Sequence, residues 1–289
     1  MAKVLRLVHP NAGVRAAYAR QLHRLIDEMQ RSTVWWLRAA YRKDEARIVA
    51  DGAIDSALAF AQDASPARMM QKVLGRLFRY WMRRWSDKAL KIAEDFVRNS
   101  ARRTTSSYEQ AFKDAGFTVK MDPSRAQNDV VQVLIAENVS LIRTIPEKYF
   151  GEVTGLVQRS ISMGRDLAFL TDELHKRYVK TRARADLIAR DQANKATEAI
   201  KRVESERLGV KVGIWVHIPG KYTSRATHKA MNGKPFLLSE GLYDSAKGVE
   251  RKVLPGELVA CQCTYRDFVP EFGDEVTPEI AKLLRRASA

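Results

Sequence analysis

Most of the residues that could do chemistry lie between Trp215 and Cys263. This stretch holds Trp215-Val216-His217, Arg225-Ala226-Thr227-His228, Asn232-Gly233-Lys234-Pro235-Phe236, Pro255-Gly256-Glu257-Leu258 and Cys261-Gln262-Cys263. Both cysteines of the protein and two of its five histidines fall here. On a strand, alternate residues share a face, so Cys261 and Cys263 would turn both sulfurs to one side, about 6.5–7 Å apart along the backbone. Thiolates so placed are suitable zinc ligands, and His228 and His217 complete a Cys2His2 set. The spacing is not that of a standard zinc finger. The same residues also read as two small thiols in a core, with histidines making ordinary hydrogen bonds and no cofactor at all. A third reading takes a cysteine as nucleophile and a histidine as base. It lacks the local signature of a cysteine hydrolase, and the chain has no Walker-type phosphate loop and no His-Glu-x-x-His. No catalytic residue is assigned, and the expectation is a protein that is not an enzyme. Between His228 and Cys261 the chain is rich in turn residues, with Asn232-Gly233, Gly241, Gly248 and Pro255-Gly256. Such a segment has little core of its own and needs pinning at both ends.

The elements that must hold this cluster are mostly helices. Asn11 is placed to cap a first helix with the apolar stripe Val14, Tyr18, Leu22, Leu25, Met29, Trp36 and Ala40. Pro66 suits the first turn of a second. Its stripe is Met70, Leu74, Leu77, Trp81, Trp85, Ala89, Ile92 and Phe96. A helix of that length, about 45 Å, should pack on a neighbour or on a second copy of the chain. Gly116 to Pro123 breaks the pattern. Helical segments then follow at Val131–Ile142, about 147–163, about 171–179 and 182–208, with Ile145-Pro146 ending or kinking the first and Gly209 stopping the last. Within the last, Arg190-Asp191-Gln192-Ala193-Asn194-Lys195 is dense in hydrogen-bonding groups, able to form a buried polar network if turned inward. The period then changes from 3.6 to 2. Val210, Val212, Ile214 and Val216 alternate with Lys211, Gly213, Trp215 and His217 as a half-buried strand, and 258–269 reads as a second one. A short basic helix closes the chain from Ile280 to Arg286. The fold class expected is α+β and mostly α. A long-helix N-terminal region (1–121) precedes a second domain (122–289), which is helical over 122–209, strand-containing over 210–272, and a tail over 273–289.

The 289 residues are 45% hydrophobic and 29% charged, enough to bury a sizeable core. The formal net charge of +16 predicts attraction to a polyanion, foremost nucleic acid, by sequence-independent electrostatics. Arg76, Arg79, Arg83, Arg84, Arg102 and Arg103 along the second helix are the candidate DNA-contacting residues. The tryptophans beside them lie in the apolar stripe and read as core. Two cysteines one residue apart form no disulfide framework, and the N-terminus has no signal-peptide core, so a reducing cytoplasm is the expected place of synthesis. No apolar run is long enough to span a membrane.

Several blocks together resemble the phage Mu F-like head morphogenesis family over about Glu137 to Phe272. They are Ile145-Pro146-Glu147-Lys148-Tyr149, the helix Leu187 to Lys195 with Arg190, Asp191 and Asn194, then Trp215-Val216-His217. Arg225-x-x-His228 with Gly233 and Phe236 follows, and Pro255-Gly256 leads to Cys261-x-Cys263. Many members carry Asp before the Arg-x-x-His element and Asn before the first cysteine, where this chain has Gly220-Lys221 and Ala260. The resemblance implies a minor structural component of a tailed-phage head, made in the host cytoplasm. It would sit in the virion near the portal or capsid interior, with portal or major capsid protein and phage DNA as partners. The alternative, from the residues alone, is a thiol/histidine- or metal-dependent enzyme or toxin-like module.

Overall fold

The computed structural model describes residues 5–51, 66–164, 166–219, 224–270 and 273–288. The chain is α+β and mostly α, with long helices first and a small β region near the C-terminal end. Four long helices come first: α1 (Ala12–Asp51), α2 (Pro66–Asp114), α3 (Arg125–Ser162) and α4 (Leu167–Arg207). Then follow β1 (Val212–Val216), α5 (Ala226–Ala230), β2 (Pro235–Leu237), β3 (Leu242–Asp244), β4 (Arg251–Val253), β5 (Thr264–Asp267) and α6 (Pro278–Ser288). The helix starts obey local chemistry. The Val14 backbone N–H donates to Asn11 Oδ1 at 3.0 Å, Gln127 N–H to Ser124 Oγ at 3.1 Å, and Phe169 N–H to Asp166 Oδ1 at 2.8 Å. Each side chain satisfies one of the donors that a helix N-terminus leaves free.

Two expected helix ends do not occur. α3 continues past Pro146, although proline removes a helical donor and crowds the preceding turn. Ile142, Ile145, Tyr149 and Phe150 on either side are all buried, and their packing overrides the local preference. The segments 171–179 and 182–208 are likewise one helix. The turn between them has little apolar surface, and ion pairs hold it instead. Arg177 and Lys180 meet Glu152 at 3.3 and 3.1 Å, and Arg182 meets Asp27 at 2.5 Å.

The chain divides into two compact units, residues 18–93 with 137–186, and residues 1–17 with 94–136 and 187–289. Among its described residues the first contains helices and no strand. Its core includes Tyr18, Leu22, Ile26, Met29, Trp81 and Trp85, and its buried tyrosines are tied across helices. Tyr18 Oη donates to Asn138 Oδ1 at 2.9 Å and Tyr41 Oη to Ser160 Oγ at 2.7 Å. Trp36, expected in the α1 stripe, is 49% exposed, and its neighbour Trp35 is more so.

The second unit carries both sheets. One is three-stranded and antiparallel in the order β2-β1-β5, with Gly213 opposite Phe236 and Trp215 opposite Tyr265. The other is the hairpin β3-β4. The half-buried strand expected at 210–217 is covered on both faces. Val212 and Ile214 pack under Ile280, Leu283 and Leu284 of α6. Trp215 was expected on the wetter face but is fully buried, with Phe236, Tyr265, Cys261 and Cys263. Gly213 makes that second face possible. A Cβ there would stand 2.9 Å from both Leu238 Cδ2 and Tyr265 Cδ2, closer than real Cβ atoms approach. The second strand is shorter than the expected 258–269. β5 begins at Thr264, so both cysteines lie in the irregular segment before it.

Candidate functional site

Helix α4 places a polar stripe, at helical spacing, against the segment that carries the cysteines. Asp191, Gln192, Asn194, Thr197, Glu198, Lys201, Glu204 and Ser205 are all buried, so the inward polar network that the sequence allowed over 190–195 extends to Ser205. Asp191 Oδ1 accepts the backbone N–H of Ala260 at 2.7 Å. Asn194 Nδ2 donates to the carbonyl oxygens of Cys261 and Cys263, at 2.9 and 3.4 Å. Lys201 Nζ donates to Thr264 Oγ1 and the Tyr265 carbonyl oxygen, at 2.8 and 2.9 Å. It also pairs with Glu198 at 3.0 Å and stands 3.7 Å from the Tyr265 ring centre. Beyond it, Ser205 meets the Tyr108 and Tyr265 hydroxyls, and Tyr108 Oη donates to Asp267 Oδ2 at 2.7 Å. Burial pushes the Asp267 and Glu198 carboxyls up, and Lys201 pulls both the other way.

Pro255-Gly256 fits the same interface. Gly256 has φ of 78°, and a Cβ on it would stand 2.8 Å from Asn194 Nδ2 and 3.0 Å from Glu198 Cγ. Only glycine lets the chain approach α4 so closely.

On the other side of the cysteines lies α5. Arg225 is its N-cap residue, and Arg225 Nη2 donates to the Val259 carbonyl oxygen at 3.0 Å. His228 is buried, edge-on to Trp215, which in turn packs edge-on to Phe236. Gly233 donates its backbone N–H to the Trp215 carbonyl oxygen at 2.8 Å, closing the turn into β2. The sulfurs of Cys261 and Cys263 lie 3.4 and 3.6 Å from His228 Nδ1. Cys263 Sγ is also 3.5 Å from His217 Nδ1. The opposite ring nitrogen of His228, Nε2, is 3.1 Å from Asp244 Oδ2 at the end of β3. Asp244 is fully buried and its Oδ1 accepts the Ala246 backbone N–H at 2.9 Å.

The electrostatics follow from this crowding. The adjacent Cys263 thiol and the His228 ring draw the Cys261 thiol down to about 4, against burial. The Cys261 sulfur, with burial, pushes the Cys263 thiol far up. Burial lowers the His228 ring, yet Cys261 and Asp244 outweigh it and its pKa is raised. Burial raises the Asp244 carboxyl, but the Ala246 N–H, Thr227 and His228 hold it below its ordinary value. Chemically the set can do two things: hold a soft metal ion between sulfur and nitrogen, or line up Cys261, His228 and Asp244 as thiol, base and orienting carboxylate.

The motif residues Asp191, Asn194, Trp215, Arg225, His228, Gly233, Phe236, Gly256, Cys261 and Cys263 thus converge around one cluster. The comparison with protein families bears on the same stretch.

Residues 152–266 match the family model for Phage Mu protein F like protein.

The resemblance read from the motif blocks holds over that stretch. A protein of Haemophilus influenzae described as uncharacterized is 29% identical over 208 residues, covering 69% of this chain. The chain spans 43% of that relative's length. No solved structure matches.

The remaining candidate residues lie elsewhere. Arg190 of the Mu F-like motif is half-buried on α4 beside Asp191. Arg76, Arg79 and Arg83 are exposed on α2 in the first unit, whereas Arg84 is half-buried and bonded to Glu28 at 2.7 Å. Arg102 and Arg103 are exposed further along α2, in the unit that carries the cluster. Gly220 and Lys221, where many members have Asp, fall outside the described residues. Asp244, Glu198, Lys201 and Asp267 were not singled out from sequence. The α4 pair had a signal, since Asp191, Asn194, Glu198, Lys201 and Ser205 recur at helical spacing. Asp244 had none, because its role depends on a hairpin folding back onto α5.

Proposed function

We propose that this chain is a structural component of a tailed-phage head that acts in head morphogenesis and does not catalyse a reaction. The observation that carries this reading is the Mu F-like match over 152–266, which spans α4, the cluster and most of β5. The finer role is DNA packaging or retention near the portal or the capsid interior, with portal or major capsid protein as partners. The net charge of +16 and the exposed Arg76, Arg79, Arg83, Arg102 and Arg103 support contact with DNA phosphates. Among the described residues no helix is long and apolar enough to cross a membrane. The test is to purify mature heads and quantify this chain against portal and major capsid protein. A fixed low copy number, with heads failing to mature when the gene is deleted, is the expected result. Its absence from heads at every stage would overturn the proposal.

The alternative, a thiol enzyme or toxin-like module, draws on the alignment of Cys261, His228 and Asp244. Against it stands burial. The three residues are 4%, 2% and 0% exposed, which supports a structural role over a thiol open to substrate. Rapid, single-site alkylation of Cys261 in the native protein would favour the enzyme reading; slow alkylation of both thiols supports the structural one.

A further inference from the structure

We infer that Cys261, Cys263 and His228, with His217 as the fourth ligand, form a structural zinc site. The inference concerns the chemistry of one folded unit and is independent of the head role.

Distance is the first argument. In a tetrahedral zinc site with Zn–S of about 2.3 Å and Zn–N of about 2.0–2.1 Å, a sulfur and a nitrogen ligand stand about 3.6 Å apart. The three S···N separations are 3.4, 3.6 and 3.5 Å. The ligand atoms of His228, Cys261 and Cys263 all lie within 4.8 Å of one another, and all three residues are buried.

Proton accounting is the second. The Asp244 carboxylate can only accept, so His228 Nε2, 3.1 Å away, carries the ring hydrogen. With Nε2 so occupied, it is Nδ1 that faces the thiols, and two sulfurs converge on that one nitrogen at 3.4 and 3.6 Å. A cation bound by that nitrogen and two thiolates satisfies all three atoms at once. Asp244 then fixes the tautomer and orientation of the ring from outside, as carboxylates commonly do behind ligating histidines. The Asn194 amide holds the carbonyls of both cysteines from the opposite side.

Two thiolates with imidazole in a closed, buried setting select zinc and leave no open position for substrate. His217 is the weaker ligand. It is only half-buried, and its Nε2 has no hydrogen-bond partner among the described residues.

The experiment uses the full chain. Metal analysis after purification is expected to give about one zinc per chain. Replacement by Co2+ is expected to give the absorption of a tetrahedral thiolate site, with sulfur-to-metal charge transfer. Asp244→Asn should leave the protein folded and weaken Zn2+ binding about 10–100-fold. His217→Ala should weaken it while keeping the charge-transfer bands. Cys261→Ser and Cys263→Ser should each reduce those bands to about half, and the double variant should abolish them. A folded wild-type chain that holds no zinc and takes up neither Zn2+ nor Co2+ would overturn the site, as would an octahedral cobalt spectrum without thiolate bands. A zinc-free chain found in mature heads would remove the site and leave the head role standing.

Discussion

The side-chain amide of Asn194 reaches the carbonyl oxygen of Cys261 across 67 positions of sequence, at 2.9 Å in a fully enclosed setting. The bond joins two blocks that look unrelated along the chain: a helical Arg-Asp-x-x-Asn and a Cys-x-Cys. It makes α4 the platform on which the cysteine segment is shaped. Removing the amide takes a donor from the Cys263 carbonyl and leaves the Cys261 carbonyl with Gln262 Nε2 at 3.2 Å, so Asn194→Ala should cost about 1–3 kcal/mol. Gly256→Ala should cost at least as much, since its Cβ would press on the same amide with φ at 78°. Denaturant melts check both. An Asn194→Ala protein of wild-type stability would mean that the segment holds its shape without α4.

Lys201 makes a prediction about pH. It is buried beside Glu198, and burial raises the Glu198 carboxyl while Lys201 pulls it down. A raised folded pKa contributes stability below the unfolded value and loses it as pH rises through the folded one. Lys201→Met removes the downward pull, so Glu198 should rise further and stay protonated at mild acid pH. The variant should therefore lose about 3–5 kcal/mol relative to wild type at pH 8, and clearly less at pH 5. Adding Glu198→Leu to Lys201→Met should restore part of the loss and reduce the pH dependence, the remainder coming from Asp267, which Lys201 also pulls down. A single variant equally destabilised at both pH values would mean that packing on the Tyr265 ring, and not charge, is the main role of Lys201.

Much of the architecture could be read from residue spacing, because the long helices declare themselves by apolar stripes and capped ends. Asn11 and Pro66 mark their helix starts as expected. Pro146 misled because its cost is local, whereas the packing of Ile142, Ile145, Tyr149 and Phe150 that outweighs it is tertiary. Trp215 misled in a different way. Alternation predicts one wet face, but this strand is roofed on both sides, by α6 and by the aromatic cluster. His228 and both cysteines were visible by type. The Asp244 that orients the ring was not, since it lies sixteen positions on, at the end of β3, and meets His228 only once that strand is folded back.

Ala260 has φ of 60°, the left-handed region, where a Cβ crowds the following carbonyl. Its backbone N–H is fixed by Asp191, so the conformation is imposed by the α4 contact. Asparagine tolerates this region better than alanine does. Ala260→Asn should therefore stabilise the protein by about 0.5–1 kcal/mol, seen as a higher Tm with unchanged metal content. A Tm at or below wild type would show that the larger side chain meets a neighbour that offsets the relief of strain.

The last prediction separates the two roles of α2 in the first unit. Trp81 is 3% exposed, points its Nε1 toward Ser32 Oγ at 3.4 Å and lies under the Arg84 guanidinium, 5.7 Å from its ring centre. These are the contacts of a core residue, so Trp81→Ala should cost about 3–5 kcal/mol. Arg76, Arg79 and Arg83 are exposed. Their joint replacement by alanine should leave the melting midpoint nearly unmoved. It should weaken binding to duplex DNA of any sequence, and each lost phosphate contact should reduce the salt slope by about one. Arg84 differs because it is bonded to Glu28; Arg84→Ala should lower stability modestly and change DNA binding little. Fluorescence anisotropy over a salt series, paired with thermal melts, distinguishes these outcomes. DNA affinity that ignores salt, or that falls with Trp81→Ala while stability holds, would move the nucleic-acid contact from the arginine charges to the aromatic face.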